Sequence, residues 1–152
     1  MDDPCQVRPA ATTDIPAVAA IEQAVFSDPW PRSAFLELLG EGFLVASVRN
    51  EVAGYLVSRW VVDEAEILNI AVRPDSRRRG IGRRLLDTAL QKFQASGATT
   101  VYLEVRESNA AGQAFYQIEG FQQVGRRPAY YQKPREDALI LARPIGGSEG
   151  SA

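Results

Sequence analysis

A glycine-rich segment that follows a short apolar run is the stretch of this sequence best suited to hold a ligand. The run Ile67–Val72 has the composition of a buried strand, and Pro74 ends it. Gly80 and Gly82 then precede apolar residues at helical spacing. The first turn of a helix leaves backbone N–H groups unpaired and carries a partial positive charge, and glycines let an anion approach closely. The segment therefore predicts a phosphate cradle.

The spacing of the glycines excludes the two commonest phosphate cradles. No Lys-Ser or Lys-Thr pair follows them, as a P-loop requires, and the third glycine of the dinucleotide fingerprint is missing. An arginine-rich helix cap without a ligand is the alternative interpretation. The segment is rich in arginine at positions 73, 77, 78, 79, 83 and 84, and such a cluster is also compatible with nucleic-acid binding. Because the net charge is −2 and no aromatic residues interleave with these arginines, we expect a compact polyphosphate ligand and no direct contact with nucleic acid.

The side chains available for acid–base chemistry are few in kind. The sequence contains no histidine, and its single cysteine, Cys5, lies near the N-terminus outside any motif. Histidine-based triads, histidine metal sites and an internal disulfide are therefore excluded, and we expect no metal. Proton transfer must use carboxylates, tyrosine, lysine, cysteine or water.

Glu104 is the carboxylate whose position best suits a general base. In the run Val101–Val105 the apolar side chains share one face of a strand, whereas Tyr102 and Glu104 share the other. If helices cover both faces, this carboxylate lies in a mostly apolar setting. Desolvation raises the pKa of a carboxyl group, as a base working near neutral pH requires. The alternative is a glutamate at the rim of a strand, paired with an arginine.

The elements that must position these residues alternate along the chain. Their order predicts an α/β fold with a sheet covered on both faces, in a single domain of residues 1–145 with a disordered polar tail at 146–152. The absence of a long apolar stretch or a signal peptide favours a cytoplasmic protein that does not contact a membrane. The predicted strands are Gln6–Pro9, Phe43–Val48, Val52–Val62, Ile67–Val72, Thr100–Val105, Phe121–Gly125 and Ala138–Ala142. The predicted helices begin at Thr13 or Asp14, span Arg32–Leu39, run from the glycines to Ser96, and run from Ser108 or Asn109 to Ile118; Arg126–Glu136 is a predicted loop.

Several motifs resemble one family of enzymes. The pattern Arg77-x-x-Gly80-x-Gly82 resembles the acetyl-CoA loop of the GNAT N-acetyltransferases. The sequence also resembles the second half of a GNAT domain, in the run Glu104–Ala111 followed by Ala114–Tyr116 and Gly120-Phe121. Within the superfamily, the chain from Gln6 to Pro144 is similar to the RimI-type ribosomal-protein alanine N-acetyltransferases. The runs that carry this narrower resemblance are Asp63–Val72, Pro29-Trp30, Tyr130-Tyr131 and Arg135–Ala138.

The resemblance implies a fold and a role for each motif. The GNAT fold is a mixed, mostly antiparallel sheet of about six to seven strands with helices on both faces. The resemblance implies acetyl-CoA as co-substrate, Glu104 as base, and Tyr116 as the acid that protonates the departing thiolate. It also implies that Asn109 binds CoA and caps a helix, and that Ala129, a departure from some relatives, lies where peptide specificity is set. The backbones of Ile70, Ala71 and Val72 would pair with the pantetheine arm, and the amides of Arg78, Arg79, Gly80, Ile81, Gly82 and Arg83 would hold the pyrophosphate.

The resemblance implies that the acetyl acceptor is the N-terminal amine of a protein, namely an alanine of small-subunit ribosomal protein 18. An α-amine has a pKa of about 7.7–8.0 against about 10.4 for lysine, so its deprotonation at neutral pH costs about 3.4 kcal/mol less. Two alternatives stay open. One is a lysine or small-amine acetyltransferase on the same fold, and the other is a non-catalytic acyl-CoA-binding module.

Overall fold

Strands and helices alternate along residues 5–146, the part of the chain that this computed structural model describes. The strands in that range are β1 (Cys5–Pro9), β2 (Phe43–Val48), β3 (Glu51–Val61), β4 (Glu64–Val72), β5 (Thr100–Arg106), β6 (Gln122–Gln132) and β7 (Arg135–Pro144). The α-helices are α1 (Ile15–Val25), α2 (Arg32–Glu37), α3 (Ile81–Ser96) and α4 (Ala110–Ile118). Short 3₁₀ turns at Thr12–Asp14 and Pro74–Ser76 precede α1 and α3. The predicted tail, apart from Gly146, lies outside the described residues.

The strands form one mixed sheet in the order β1-β2-β3-β4-β5-β7-β6. β4 pairs with β5 in parallel, from Glu64 opposite Thr100 to Ile67 opposite Leu103. The pairs β1–β2, β2–β3, β5–β7 and β6–β7 are antiparallel. The predicted α/β class and the mixed, mostly antiparallel sheet are therefore confirmed.

The residues group into two compact units. The first unit contains the chain up to Arg59 and the segment Asn69–Lys92, and the second contains Trp60–Leu68 and the chain from Phe93 onward. The predicted single domain of residues 1–145 stays a prediction.

An aromatic cluster around Phe35 of α2 forms the centre of the first unit. The Phe35 ring is fully buried, and its centroid lies 5.3 Å from Trp30, 5.9 Å from Phe43 and 5.5 Å from Tyr55. Tilted and edge-on ring pairs at such distances add to the stabilisation that comes from burial alone. The cluster fixes the Pro29-Trp30 segment between α1 and α2 against strands β2 and β3.

A buried carboxylate joins the same segment to two strands. Glu22 of α1 is 1% exposed, and its Oε2 accepts the Trp30 N–H at 2.9 Å. Its Oε1 accepts the Tyr55 hydroxyl and, at 2.8 Å, the side-chain amide of Asn69. Burial, and then the hydrogen bond to Glu22, raise the pKa of Tyr55. Asn69 interrupts the apolar run of β4 because this buried carboxylate requires a donor there.

The β6–β7 hairpin is longer than the sequence indicated. The predicted loop Arg126–Glu136 is wrong, because β6 continues to Gln132 and β7 begins at Arg135. The pairing shifts register between Arg127 and Tyr131, which leaves residues 128–130 as a bulge with Ala129 at φ 52°. Proline in the bulge and in the turn gives a strand the composition of a loop.

Two predicted details at helix ends also differ. The helix predicted to run to Leu39 ends at Glu37. Asp14 stands at the N-cap position of α1, but its carboxylate bonds to Arg8 at 2.7 Å and to the Ala11 N–H at 2.7 Å, and not to a helix amide. The guanidinium of Arg8 is the stronger competitor for this carboxylate and lowers the pKa of Asp14.

Candidate active site

The predicted phosphate cradle lies in the first unit, where α3 begins at Ile81 immediately after Gly80. Arg78 and Gly80 both adopt left-handed backbone angles, with φ of 66° and 76°. Left-handed residues within a turn orient backbone N–H groups toward a common point and form an anion-binding concavity. A Cβ atom added at Gly80 would meet no atom within 4 Å, so glycine is favoured there by the left-handed backbone angle and not by a lack of space for a side chain. The local geometry thus fits a phosphate ligand.

The start of α3 is positioned by a close approach to β3. A Cβ atom at Gly54 of β3 would lie 2.9 Å from the Ala71 carbonyl oxygen and 3.2 Å from the Ile81 side chain. Any larger residue would therefore displace either β4 or the first turn of the helix. Sequence reasoning missed Gly54, since an isolated glycine in a strand gives only the general signal of a bulge or a close approach.

One arginine of the predicted cluster is already paired. The Arg73 guanidinium lies 2.6 Å from Asp75 and 3.2 Å from Glu51, and the pKa of Arg73 is raised chiefly by its hydrogen bond to Asp75. Arg73 therefore holds its own turn together.

Asn109 lies at the N-terminus of α4 in the second unit. Its Oδ1 accepts the Gly112 N–H at 2.8 Å, so the predicted helix cap is confirmed. A contact between Asn109 and CoA stays a prediction.

Glu104 does not lie in an apolar setting, and that expectation is wrong. Its side chain is 17% exposed and forms an ion pair with Arg127 of β6, which is the alternative that the sequence left open. Tyr130 is a second partner of this carboxylate, because burial and then the interaction of its hydroxyl with Glu104 raise the pKa of Tyr130. The candidate base thus has a cationic and a phenolic partner, both from the hairpin that the sequence mispredicted.

Asp137 of β7 holds the bulge that separates these two partners. Its Oδ1 accepts the Ala129 N–H at 2.8 Å, and its Oδ2 accepts Nη1 of Arg126 at 2.7 Å. The hydrogen bond from the Ala129 amide and, to a smaller extent, the one from Arg126 lower the pKa of Asp137. The Asp137 carboxylate therefore fixes the backbone of the bulge, which lies between Arg127 and Tyr131.

The preceding residue, Glu136, joins the hairpin to the end of β5. Its carboxylate accepts the Ser108 N–H at 2.5 Å and Arg106 Nη1 at 3.0 Å. Bonds from Ser108 and then Arg106 lower the pKa of Glu136. The Arg106 guanidinium also lies 4.2 Å from the centroid of the Tyr131 ring, an arrangement typical of a cation–π contact.

Tyr116 of α4 is 6% exposed and packs edge-on against Phe115 at 5.2 Å and Phe121 at 5.6 Å. Burial, and then the nearby Tyr131, raise the pKa of Tyr116. Its hydroxyl therefore holds a proton throughout the physiological range, as a general acid must. The same shift makes complete transfer to a thiolate, whose conjugate acid has a pKa of about 8.5, less favourable than for an ordinary phenol.

The predicted site residues are thus distributed over both units. Ile70, Ala71 and Val72 form the end of β4 and, with the cradle, belong to the first unit; Glu104, Asn109 and Tyr116 belong to the second. Sequence reasoning missed Arg127, which no motif marked, and Glu22. The signal for Glu22 was available, because it occupies an apolar position of α1 between Val18 and Val25.

Three comparisons assign the chain to a family. Residues 15–121 match the model of the Acetyltransferase (GNAT) family. The [ribosomal protein bS18]-alanine N-acetyltransferase of Salmonella typhimurium is 40% identical over 139 residues, which are 89% of this chain and 94% of that protein. The Escherichia coli enzyme of the same name is 41% identical over 138 residues, covering 88% and 93%. The crystal structure of the ribosomal-protein-S18-alanine N-acetyltransferase from Escherichia coli superposes with a TM-score of 0.85 at 37% identity, covering 94% of this chain and 95% of that one.

The chain therefore belongs to the GNAT family of acetyltransferases, and its resemblance to the RimI-type enzymes is confirmed. Members of this family use acetyl-CoA as acetyl donor. Within residues 5–146, no three or more Cys, Asp or Glu side chains are grouped as a metal site would need. No helix in the same range is long and apolar enough to cross a membrane.

The buried tyrosines predict a loss of stability in alkali. Burial raises the pKa of Tyr131 to about 12, and it also raises the pKa values of Tyr116 and Tyr55. Above pH of about 10 the unfolded chain loses phenolic protons that the folded protein keeps, so the free energy of unfolding falls as pH rises. Below that pH the tyrosines are protonated in both states, so their contribution to the free energy of unfolding does not change with pH. Urea unfolding at pH 8, 9, 10 and 11 measures the decline.

Tyr131→Phe provides the matched control for that measurement. Removal of one titrating phenol should reduce the loss between pH 9 and pH 11 by at most about 1 kcal/mol, since the ring is partly exposed. A wild-type free energy of unfolding that is unchanged from pH 8 to pH 11 would contradict the buried, protonated state of these tyrosines.

Proposed function

We propose that this protein transfers the acetyl group of acetyl-CoA to the α-amine of a protein N-terminus. The expected substrate is a ribosomal protein of the S18 type with alanine as first residue, and the site of action is then the cytoplasm. The observation that carries the proposal is Glu104, a largely buried carboxylate of a GNAT acetyltransferase that pairs with Arg127 and lies beside Tyr130 of the hairpin. The names of relatives at 40% and 41% identity over nearly the whole chain support the choice of alanine.

Glu104 accepts the proton that the amine must lose. The substrate arrives largely as an ammonium ion, because its pKa of about 7.7–8.0 lies above neutral pH. Glu104 takes this proton directly or through one water molecule, and the neutral nitrogen forms a bond to the acetyl carbonyl carbon as the carbon–sulfur bond breaks. Tyr116 hydrogen-bonds the departing sulfur and gives it a proton. The nitrogen still carries two hydrogens after its attack and releases one of them through solvent to the Tyr116 oxygen. The products are then an amide and a thiol, with the Tyr116 hydroxyl restored and Glu104 protonated. No acyl-enzyme forms, and Cys5 has no part in the reaction.

The remaining residues bind the co-substrate. The backbone N–H groups from Arg78 to Arg83 hold the pyrophosphate, supported by the left-handed angles of Arg78 and Gly80. The strand backbone at Ile70–Val72 pairs with the pantetheine arm, and Asn109 contacts CoA farther along. When bound, acetyl-CoA supplies an activated thioester, so that the protein needs to orient the amine and manage two protons.

The acceptor can be tested with matched peptides. One peptide carries a free N-terminal alanine and no lysine, and its partner has a blocked N-terminus and one internal lysine. We expect the first to be acetylated at least about 10²-fold faster at neutral pH, since the lysine amine costs about 3.4 kcal/mol more to deprotonate. Faster acetylation of the lysine peptide would overturn the assignment in favour of a lysine acetyltransferase. Tight acetyl-CoA binding with no turnover on a library of N-termini would indicate a binding module.

The two catalytic roles can be separated by pH. Glu104→Gln should lower turnover at neutral pH by about 10²–10⁴-fold, and much of the loss should return above the pKa of the amine. Tyr116→Phe should also lower turnover, but higher pH should restore less of it, because its role is to protonate the leaving group. The measurement is a pH–rate profile for each variant, with acetyl-CoA binding followed by calorimetry.

Glu107→Gln is the matched control for the base. Glu107 lies three residues farther along the chain and pairs with Arg126 at 2.7 Å. Its variant should keep near-normal turnover. If Glu107→Gln loses activity while Glu104→Gln retains it with cofactor binding intact, the base has been assigned to the wrong carboxylate.

A further inference from the structure

The Glu104 carboxylate, which the proposed reaction needs as a base, is paired with Arg127. The Nε of Arg127 pairs with Oε2 of Glu104. The Arg127 side chain is 57% exposed, whereas that of Glu104 is 17% exposed. The cation therefore lies on the solvent side of the carboxylate. Arg127 is therefore the member of the pair that solvent reaches more freely.

The two neighbouring arginines of β6 are held very differently. Arg126 lies 2.7 Å from Glu107 and 2.7 Å from Asp137, so that two carboxylates fix its position. Arg127 has Glu104 as its one carboxylate partner among residues 5–146, and its guanidinium lies 5.7 Å from the centroid of the Tyr130 ring. One ion pair on a side chain that is more than half exposed is weak, of the order of 1 kcal/mol or less. Arg127 can leave Glu104 without disturbing the bulge that Asp137 holds.

The N-terminal ammonium ion of a substrate carries the same charge as Arg127. A half-exposed guanidinium stabilises the Glu104 carboxylate modestly, and Arg127 supplies that cation when the substrate is absent. Exchange of the guanidinium for the ammonium keeps one cation on the carboxylate throughout. After acetylation the nitrogen is a neutral amide, which cannot compete for the carboxylate. Once Glu104 has released the accepted proton to solvent, Arg127 can return.

We propose that Arg127 is a displaceable counter-ion, held on Glu104 in the place that the substrate ammonium takes. The inference rests on the proposed function. Arg127 is here a positioning residue that acts through Glu104: it lowers the affinity for free amines and favours release of the acetylated product.

Calorimetry with two peptides tests this exchange. An alanine-initiated peptide that the wild type acetylates, and the same peptide already N-acetylated, are titrated into protein saturated with CoA, which carries no acetyl group and prevents turnover. We expect Arg127→Gln to bind the free-amine peptide about 3- to 10-fold more tightly than the wild type does, because no guanidinium competes. Binding of the acetylated peptide should change less than about twofold, since its amide does not compete for the charge. Arg127→Lys should stay closer to the wild type, as it keeps the cation.

Arg135→Gln is the matched control on the same hairpin. The Arg135 side chain has no hydrogen bond or ion pair with the residues that the structure describes, so its variant should bind both peptides as the wild type does. Weaker binding of the free-amine peptide by Arg127→Gln, or equal gains for both peptides, would overturn the counter-ion role.

A spectroscopic measurement on the wild type needs no variant. The ¹⁵N–¹H signal of Arg127 Nε should change on titration with the free-amine peptide and stay in place with the acetylated one. An unchanged signal in both titrations contradicts the exchange even if the peptide is acetylated normally. Failure of the proposed function is a separate result, because the wild type would then acetylate no N-terminus.

Discussion

The acidic pair Glu136-Asp137 at the start of β7 is the constraint on which the candidate base depends. Glu136 joins the hairpin to Arg106, the last residue of β5, and to Ser108 just beyond it, and Asp137 holds the bulge of β6 through the Ala129 amide. Both carboxylates accept backbone N–H groups as well as arginines, and such charge-assisted bonds are stronger than neutral ones. Because the two residues are adjacent on one strand, the hairpin has a single register relative to β5. That register brings Arg127 and Tyr130 to Glu104.

Two largely buried glutamates in this protein show how the partners of a carboxylate determine its use. Glu22 accepts three hydrogen bonds, from Tyr55, Asn69 and the Trp30 amide, and is 1% exposed. None of these donors carries a charge, and all belong to the packed structure of the first unit, so removal of any of them leaves a buried acceptor unsatisfied. Glu104 instead has a guanidinium on its solvent side. The first carboxylate is suited to hold a fold together, and the second is suited to exchange its partner.

Sequence patterns predicted the parts of this fold that depend on local chemistry. The strand Thr100–Arg106 follows from alternation, the start of α4 follows from Asn109, and the end of α3 follows from Gly97 at φ 97°. The bulge in β6 did not follow, because its left-handed Ala129 is stabilised by a carboxylate eight residues away and not by its own sequence. The partner of Glu104 was missed for the same reason. The ion pair between Glu104 and Arg127 depends on the register of the hairpin. Because this segment was predicted to be a loop, no strand register could be assigned to it from the sequence.

The chemistry was predicted more completely than its setting. The absence of histidine restricted the base to a few residue types, and the alternation of β5 selected Glu104, but a carboxylate paired with arginine replaced the expected apolar environment. Tyr116, which the resemblance implied as the acid, is also a core residue that packs against two phenylalanine rings. In the structure a packed ring and a protonated hydroxyl are compatible, because burial itself raises the pKa of the phenol.

A crystal structure with a conjugate of CoA and an alanine-initiated peptide tests the central claim most directly. In such a conjugate the peptide nitrogen and the CoA sulfur are fixed where the reaction would place them. The account predicts that the nitrogen lies within about 2.6–3.2 Å of a Glu104 carboxylate oxygen, or of one water molecule bonded to it, and that the sulfur lies at the Tyr116 hydroxyl. A nitrogen bonded instead to another carboxylate, such as Glu107, with Glu104 still paired to Arg127, would contradict it.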